Sequence, residues 1–325
     1  MPSTVRNSLK KFAFGQALSL ILASTGVING WMYERETVNI PSVQAALTYT
    51  LIMIGSVSYH FLFAEARVPV VDLMKMHKYI MLGAVLFDVA ANWLVVKAFS
   101  ELQIPEVMVF SGLSTPVAIA IAWFWTRPRP KYTRMQIFGV FLALAAILLY
   151  FFVSGVRSNG SVLGISYAVS SAVAYAASNY FQERVAKVMN PDEFLIGLGS
   201  IGSLASWLIS LGSWQEFKDL SVALERNISV CLLLGLYAIV LSSFYLLIPV
   251  YMSRHSAVSF NFSLLTANFF GIIASWFILN SSYSNWLYLS IVLVNCGLLI
   301  YYIGEESQSE SQIKGEDDKE IVERV

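Results

Sequence analysis

Charge is absent from long stretches of this chain, and that absence constrains its fold more than any motif does. Ten segments stand out: 12–31, 42–64, 79–98, 105–126, 135–154, 161–181, 194–213, 228–250, 257–279 and 285–303. Of 21 Lys and Arg and 21 Asp and Glu residues, only Asp88, Lys97 and Glu106 fall inside them. A helix crosses the hydrocarbon of a bilayer with about 20 mostly apolar residues. Backbone polar groups in lipid must be satisfied within the segment, so such runs read as spanning helices. The alternating pattern of a membrane β-barrel is missing. The chain is 57% hydrophobic and 13% charged, with a mean hydropathy of +0.64. A soluble domain carries about 25% charge, so a water-soluble globule and a disordered chain are both disfavoured. Zero net charge gives no reason to expect nucleic-acid binding.

Trp31, Trp123, Trp125, Trp214 and Trp286 mark span ends, as an aromatic belt requires. No cleavage-site pattern follows the first span, which is therefore expected to stay as a helix. Positive charge sets the orientation. Placing the N-terminus in the cytosol puts Arg6, Lys10, Lys11, Arg67, Lys75, Lys78, Arg127, Arg129, Lys131, Arg134, Arg184, Lys187, Arg254, Lys314, Lys319 and Arg324 there. Only Arg35, Arg157, Lys218 and Arg226 fall opposite. The bias predicts both termini inside. Glycosylation acceptor patterns at Asn159, Asn227 and Asn280 all fall on the other side, in agreement. Residues 1–11 read as a cytosolic N-terminus and 304–325 as an acidic, disordered cytosolic tail. The longest connections are 65–78 and 214–227.

The first five spans map onto the second five with one offset, 152 residues. Residues 12–154 and 161–303 thus form two five-helix repeats. An odd number of spans inverts the second, the pattern of alternating-access transporters. At the same offset Phe110-Ser111-Gly112-Leu113-Ser114 aligns with Phe262-Ser263-Leu264-Leu265-Thr266.

Asp88 is the sharpest single residue. A charge at mid-span costs about 2.5–3.5 kcal/mol on insertion scales, so Asp88 is expected to face the bundle or a wet cavity. Asn92 follows one turn later on the same face. A carboxylate beside a carboxamide can accept from a ring N–H and donate to a ring carbonyl, and an acid at this depth is also a candidate proton carrier. A structural hydrogen bond to a neighbouring helix is the other reading. Tyr175, Ser178, Asn179 and Gln182 form one polar stripe on span six, suited to a flat ring or to interhelical bonding. Span four offers Ser111, Ser114, Thr115 and a mid-span Pro116 expected to kink it. Span nine offers Asn261, Thr266 and Asn268, and span one Gln16. Lys97 and Glu106 lie near non-cytosolic span ends, where they form an outer gate pair or snorkel separately. Gly199, Gly202, Ser203 and Ser206 make a small-residue packing face, with a homodimer contact as one use of it. Cys231 and Cys296 sit in apolar runs and read as packing residues. His60, His77 and His255 lack metal-ligand spacing, and no nucleotide-binding or hydrolase motif is present. No cofactor, metal or enzymatic activity is expected.

Several stretches carry a resemblance. They are Gly15-Gln16-Ala17-Leu18-Ser19-Leu20, Asp88-Val89-Ala90-Ala91-Asn92-Trp93 and Val95-Val96-Lys97-Ala98-Phe99. Tyr175-Ala176-Ala177-Ser178-Asn179 with Gln182-Glu183, Glu193-Phe194-Leu195-Ile196-Gly197 and Leu264-Leu265-Thr266-Ala267-Asn268 complete the set. In these the chain resembles the drug/metabolite transporter superfamily, and more closely solute carrier family 35, subfamily F. Two departures are Ala90 and Asn268, where the family pattern usually has acids. The resemblance implies a ten-helix carrier of a small organic solute, a heterocyclic, nucleobase- or nucleoside-like micronutrient. The wider family implies the alternative of a nucleotide-sugar antiporter. It places the chain in a eukaryotic endomembrane (Golgi, ER or vacuole) or the plasma membrane. The expected solute ligands are Asp88, Asn92, Tyr175, Ser178, Asn179, Gln182, Thr266, Asn268, Gln16 and Ser114. A non-transporting membrane scaffold is the reading from another class.

Overall fold

A helix that leaves water exchanges backbone hydration for its own hydrogen bonds. A computed structural model describes residues 3–63, 78–102, 104–154, 162–279, 285–297, 299–301 and 303–305. Among the described residues every regular element is a helix. The first half contains α1 (Ser3–Glu34), α2 (Pro41–Phe63), α3 (Lys78–Phe99), α4 (Ile104–Ser111), α5 (Ser114–Trp125) and α6 (Arg134–Ser154). The second contains α7 (Val162–Ala186), α8 (Pro191–Gly212), α9 (Trp214–Arg226), α10 (Ser229–Met252), α11 (Ala257–Leu264), α12 (Ala267–Leu279) and a last helical stretch, α13 (Asn285–Glu305). Seven stretches among the described residues are long and apolar enough to cross a membrane, one of them running from α11 through α12. Val109–Trp125 and Arg134–Tyr150 are shorter apolar helices. α7 is long enough, but Ser171, Ser178, Asn179 and Gln182 make it more polar, and all four are buried.

Local chemistry explains the ends. Thr133 and Gln136 cap each other at the start of α6, each backbone N–H donating to the other's side chain at 2.8 and 3.2 Å. The Glu193 carboxylate accepts from the Asn190 N–H at 3.1 Å, ahead of Pro191 at the start of α8. The Glu183 carboxylate, on α7, accepts from the Ala257 N–H at 2.7 Å and so caps α11.

α3 packs along α7, and α1 along α10. α2 packs along α8. α1 also touches α11 and α12, while α7 touches α4 and α5. The small-residue face of α8 is consumed in this packing. A Cβ at Gly199 would lie 2.5 Å from the Met53 backbone N, and one at Gly202 would lie 2.6 Å from the Tyr49 ring. That face therefore serves a contact within the chain. Lys11 of α1 and Glu305 of α13 pair at 2.7 Å, which puts these two residues at one end of the bundle.

Four expectations change. The segment 214–227 is not a plain connection, because 214–226 forms the amphipathic α9. Its Phe217, Leu220 and Ala223 pack against Met32, Val38 and Val43. The chain is still helical at Gly304 and Glu305, and 306–325 lies outside the described residues. The fourth and ninth segments are each broken in two. The break in the fourth falls at Gly112-Leu113, not at Pro116. Pro116 sits in the first turn of α5, where its missing N–H leaves no bond unmade. Asn227 is held by its own side chain, which donates to Glu36 at 3.1 Å and accepts from the Ser229 N–H at 2.9 Å. Asn159 and Asn280 lie outside the described residues.

Candidate functional site

Asp88 is 2% exposed at the middle of α3, and a buried carboxylate needs donors. It collects them from four helices. Oδ2 accepts from Tyr49 of α2 at 2.5 Å, from Tyr245 of α10, and from Asn92 of α3 at 3.3 Å. Oδ1 accepts from Gln182 and Ser178 of α7 at 3.1 and 3.3 Å. Asn92 Nδ2 also reaches the Tyr245 hydroxyl at 2.7 Å and the Tyr49 hydroxyl at 3.0 Å. The Tyr175 hydroxyl donates to Asn92 Oδ1 at 3.0 Å.

This cluster borders a cavity of about 120 Å³. A water needs roughly 10–15 Å³ of such space, so the cavity admits several waters or one small ring. Asp88, Asn92, Tyr175, Asn179 and Ser114 line it, together with Thr25 and Asn29 of α1 and Tyr237 of α10. Both helix breaks reach it, through Ser111 and Gly112 on one side and Leu264 and Leu265 on the other. Apolar lining comes from Leu22, Val95, Phe244 and Phe260. Asp88 is the one charged residue among those lining it.

The sequence expectations divide on this geometry. Asp88, Asn92, Tyr175, Asn179 and Ser114 come together. Ser178 and Gln182 do not line the cavity but support Asp88 from behind. Thr266 points its hydroxyl at the Ser263 carbonyl, 2.9 Å away, and does not line the cavity. Gln16 is half-buried and also outside the lining. The Asn268 side chain lies outside the described residues. The Lys97 ammonium sits over the Trp93 ring at 5.8 Å, while Glu106 lies 3.5 Å from the Tyr150 hydroxyl. Among the described residues no ion pair joins the two.

Five polar groups of the site are absent from the sequence expectations: Tyr49, Tyr245, Tyr237, Thr25 and Asn29. Tyr49 and Tyr245 stand in apolar runs. Asn29 stands near a span end, yet its Oδ1 accepts from Gln44 at 2.6 Å and it faces the cavity. Asn261 of the ninth segment lines the cavity as well. It accepts from Asn179 at 3.1 Å, joining α7 to α11 across the cavity wall.

Among the described residues no group of three His, Cys, Asp or Glu side chains is placed to hold a metal. The site offers hydrogen-bond donors and acceptors beside a ring-sized space, with no paired carboxylates.

A family profile described as solute carrier family 35 matches residues 4–303. Solute carrier family 35 member F2 of Mus musculus is 26% identical over 298 residues, covering 90% of this chain and 78% of that protein. The Xenopus tropicalis protein of the same name is 25% identical over 311 residues, covering 91% and 77%. One solved crystal structure superposes with a TM-score of 0.62 at 15% identity, covering 91% of this chain and 97% of that one, a likeness of fold alone. The protein is thus a multi-pass membrane protein, and the chain belongs to solute carrier family 35, in its F subfamily.

Proposed function

We propose that this solute carrier works by alternating access, with ten spans in two inverted five-helix repeats and both termini cytosolic. The observation that carries the reading is the pair of broken helices. Leu264 follows Ser111 by 153 residues, and Ala267 follows Ser114 by the same 153. Interrupted helices at matching places in two halves point to the binding site of an inverted-repeat carrier. Here both interruptions open onto one cavity, and a Cβ at Gly112 would lie 3.1 Å from Leu265, its counterpart. The helix pairs support the symmetry. The contact of α3 with α7, made between the halves, has the contact of α10 with α1 as its repeat-related counterpart. The shared end of Lys11 and Glu305 supports termini on one side.

The solute we propose is a small, neutral or cationic heterocycle of nucleobase or nucleoside type. The lining supplies amides, hydroxyls and aromatic rings beside one carboxylate. A nucleotide sugar would need cations for its phosphates, and the lining holds none.

Uptake by proteoliposomes tests both parts, using radiolabelled hypoxanthine, uracil, uridine, thiamine and UDP-sugars. Accumulation of a heterocycle above protein-free vesicles is expected. Asn92→Ala is expected to reduce it at least fivefold, since two hydrogen bonds to the cavity wall go. Uptake confined to UDP-sugars would overturn the solute class. No uptake by folded protein would favour a scaffold.

A further inference from the structure

Both carboxylate oxygens of Asp88 are engaged, and Oδ2 is filled. A carboxylate offers about four lone-pair positions. Tyr49 and Tyr245 take Oδ2, the first at 2.5 Å, with Asn92 beside them. Gln182 takes Oδ1 at 3.1 Å, while the Ser178 hydroxyl donates to the Ala84 carbonyl at 2.8 Å and stands 3.3 Å from Oδ1. A solute donor can reach Oδ2 only by displacing one of the two tyrosine hydroxyls.

Tyr49 occupies a particular place in this knot. It is 1% exposed and does not line the cavity. Its hydroxyl touches Asp88, Asn92 and Tyr245, at 2.5, 3.0 and 3.5 Å. Its ring is seated against Gly202 of α8, where any side chain would collide with it. Asn92 and Tyr245, by contrast, do line the cavity. They are 153 residues apart, the spacing that separates the two helix breaks.

We infer that Tyr49 and Asp88 are positioning residues: they fix Asn92 and Tyr245 at the cavity wall, and neither binds the solute directly. This rests on the transport reading above. The knot sits where symmetry-related groups of the two halves meet, so it joins the halves without filling the cavity.

Competition for Asp88 gives the rival reading, in which the solute itself binds the carboxylate, the opposite sign. If the solute had to displace the Tyr49 hydroxyl, Tyr49→Phe would tighten its binding. If Tyr49 positions, Tyr49→Phe loosens it. The experiment compares wild type, Tyr49→Phe, Asp88→Asn and the double variant in proteoliposomes, with whichever panel solute the wild type accumulates. Tyr49→Phe should raise KM roughly three- to tenfold, the range set by one hydrogen bond. Adding it to Asp88→Asn should raise KM no further, because the pair acts as one unit. A lower KM for Tyr49→Phe, or losses that simply multiply, would overturn the inference. Thermal unfolding midpoints of the four purified proteins are read alongside. Tyr49→Phe should lower the midpoint of wild type and leave that of Asp88→Asn unchanged, and equal losses on both backgrounds overturn the knot. If the wild type accumulates nothing, the transport reading fails and these midpoints still decide the knot.

Discussion

At the scale of single residues, the informative groups are polar side chains held away from water. Asp88 with Asn92 one turn on was legible, because a charge in the middle of an apolar helix has few structural excuses. Its two tyrosine donors were not. Tyr49 and Tyr245 lie 39 and 157 residues away, and a tyrosine in an apolar run reads equally well as core. Only the packing of α2 against α3, and of α10 against α2, shows which way their hydroxyls point. At the end of the bundle near the chain termini, His255 makes a different case. Burial, with Lys11 and Arg254 nearby, holds its pKa down to about 4 from 6.5. The folded protein therefore refuses a proton that the unfolded chain accepts below about pH 6.5. Stability from this position is complete above that pH and is lost as pH falls from about 6.5 towards 4. Midpoints measured across that window should fall with pH in the wild type and fall less steeply in His255→Gln. An unchanged slope would show that His255 contributes nothing.

At the scale of elements, hydrophobic length found the seven described stretches that are long and apolar enough to cross a membrane, but charge and continuity misled in two places. Residues 214–226 carry Glu216, Lys218, Asp219, Glu225 and Arg226, and so read as a connection. The apolar positions Phe217, Leu220 and Ala223 nevertheless recur at helical spacing, and they bury against α1 and α2. The helix breaks were half legible. Pro116 marked the right segment, but the break falls at Gly112, and its partner at Leu265-Thr266 contains neither Gly nor Pro. There the chain turns through three-residue hydrogen bonds, Leu265 N–H to Phe262 at 3.1 Å and Thr266 N–H to Ser263 at 3.4 Å. α9 also has a role that charge count hid. Glu216 is 5% exposed, and its carboxylate accepts from the Ser42 N–H at 2.9 Å and the Ser42 hydroxyl at 3.0 Å. It therefore caps α2 from outside, complementing that helix's positive end. Glu216→Gln keeps the shape and removes the charge. It should cost about 1–3 kcal/mol and lower the unfolding midpoint by a few degrees, whereas Glu225→Gln, on the exposed face of α9, should change it little.

At the scale of the whole molecule, the arrangement makes a geometric demand on the proposed rocking motion. When two halves turn about an axis between them, groups on the axis keep their distances and groups at the ends do not. If the proposed repeats turn about the axis that relates them, repeat-related residues in mutual contact lie on it. Asn92 and Tyr245 are one pair. Thr50 and Ser203, also 153 apart with their hydroxyl oxygens at 3.0 Å, are another. The Lys11–Glu305 pair lies far from that line, where α1 of one half meets α13 of the other. Two cross-linked variants separate the regions, each with Cys231 and Cys296, both exposed and free, replaced by Ser. Cysteines at Thr50 and Ser203, joined by a disulfide, should leave uptake of the accumulated solute within about twofold of the uncross-linked variant. Cysteines at Lys11 and Glu305, joined by a short bismaleimide, should reduce uptake more than tenfold, because the end that must part is tied. Arrest by the central link alone would place the moving interface at α2 and α8. It would then require the broken helices, not the ends of α1 and α13, to do the gating.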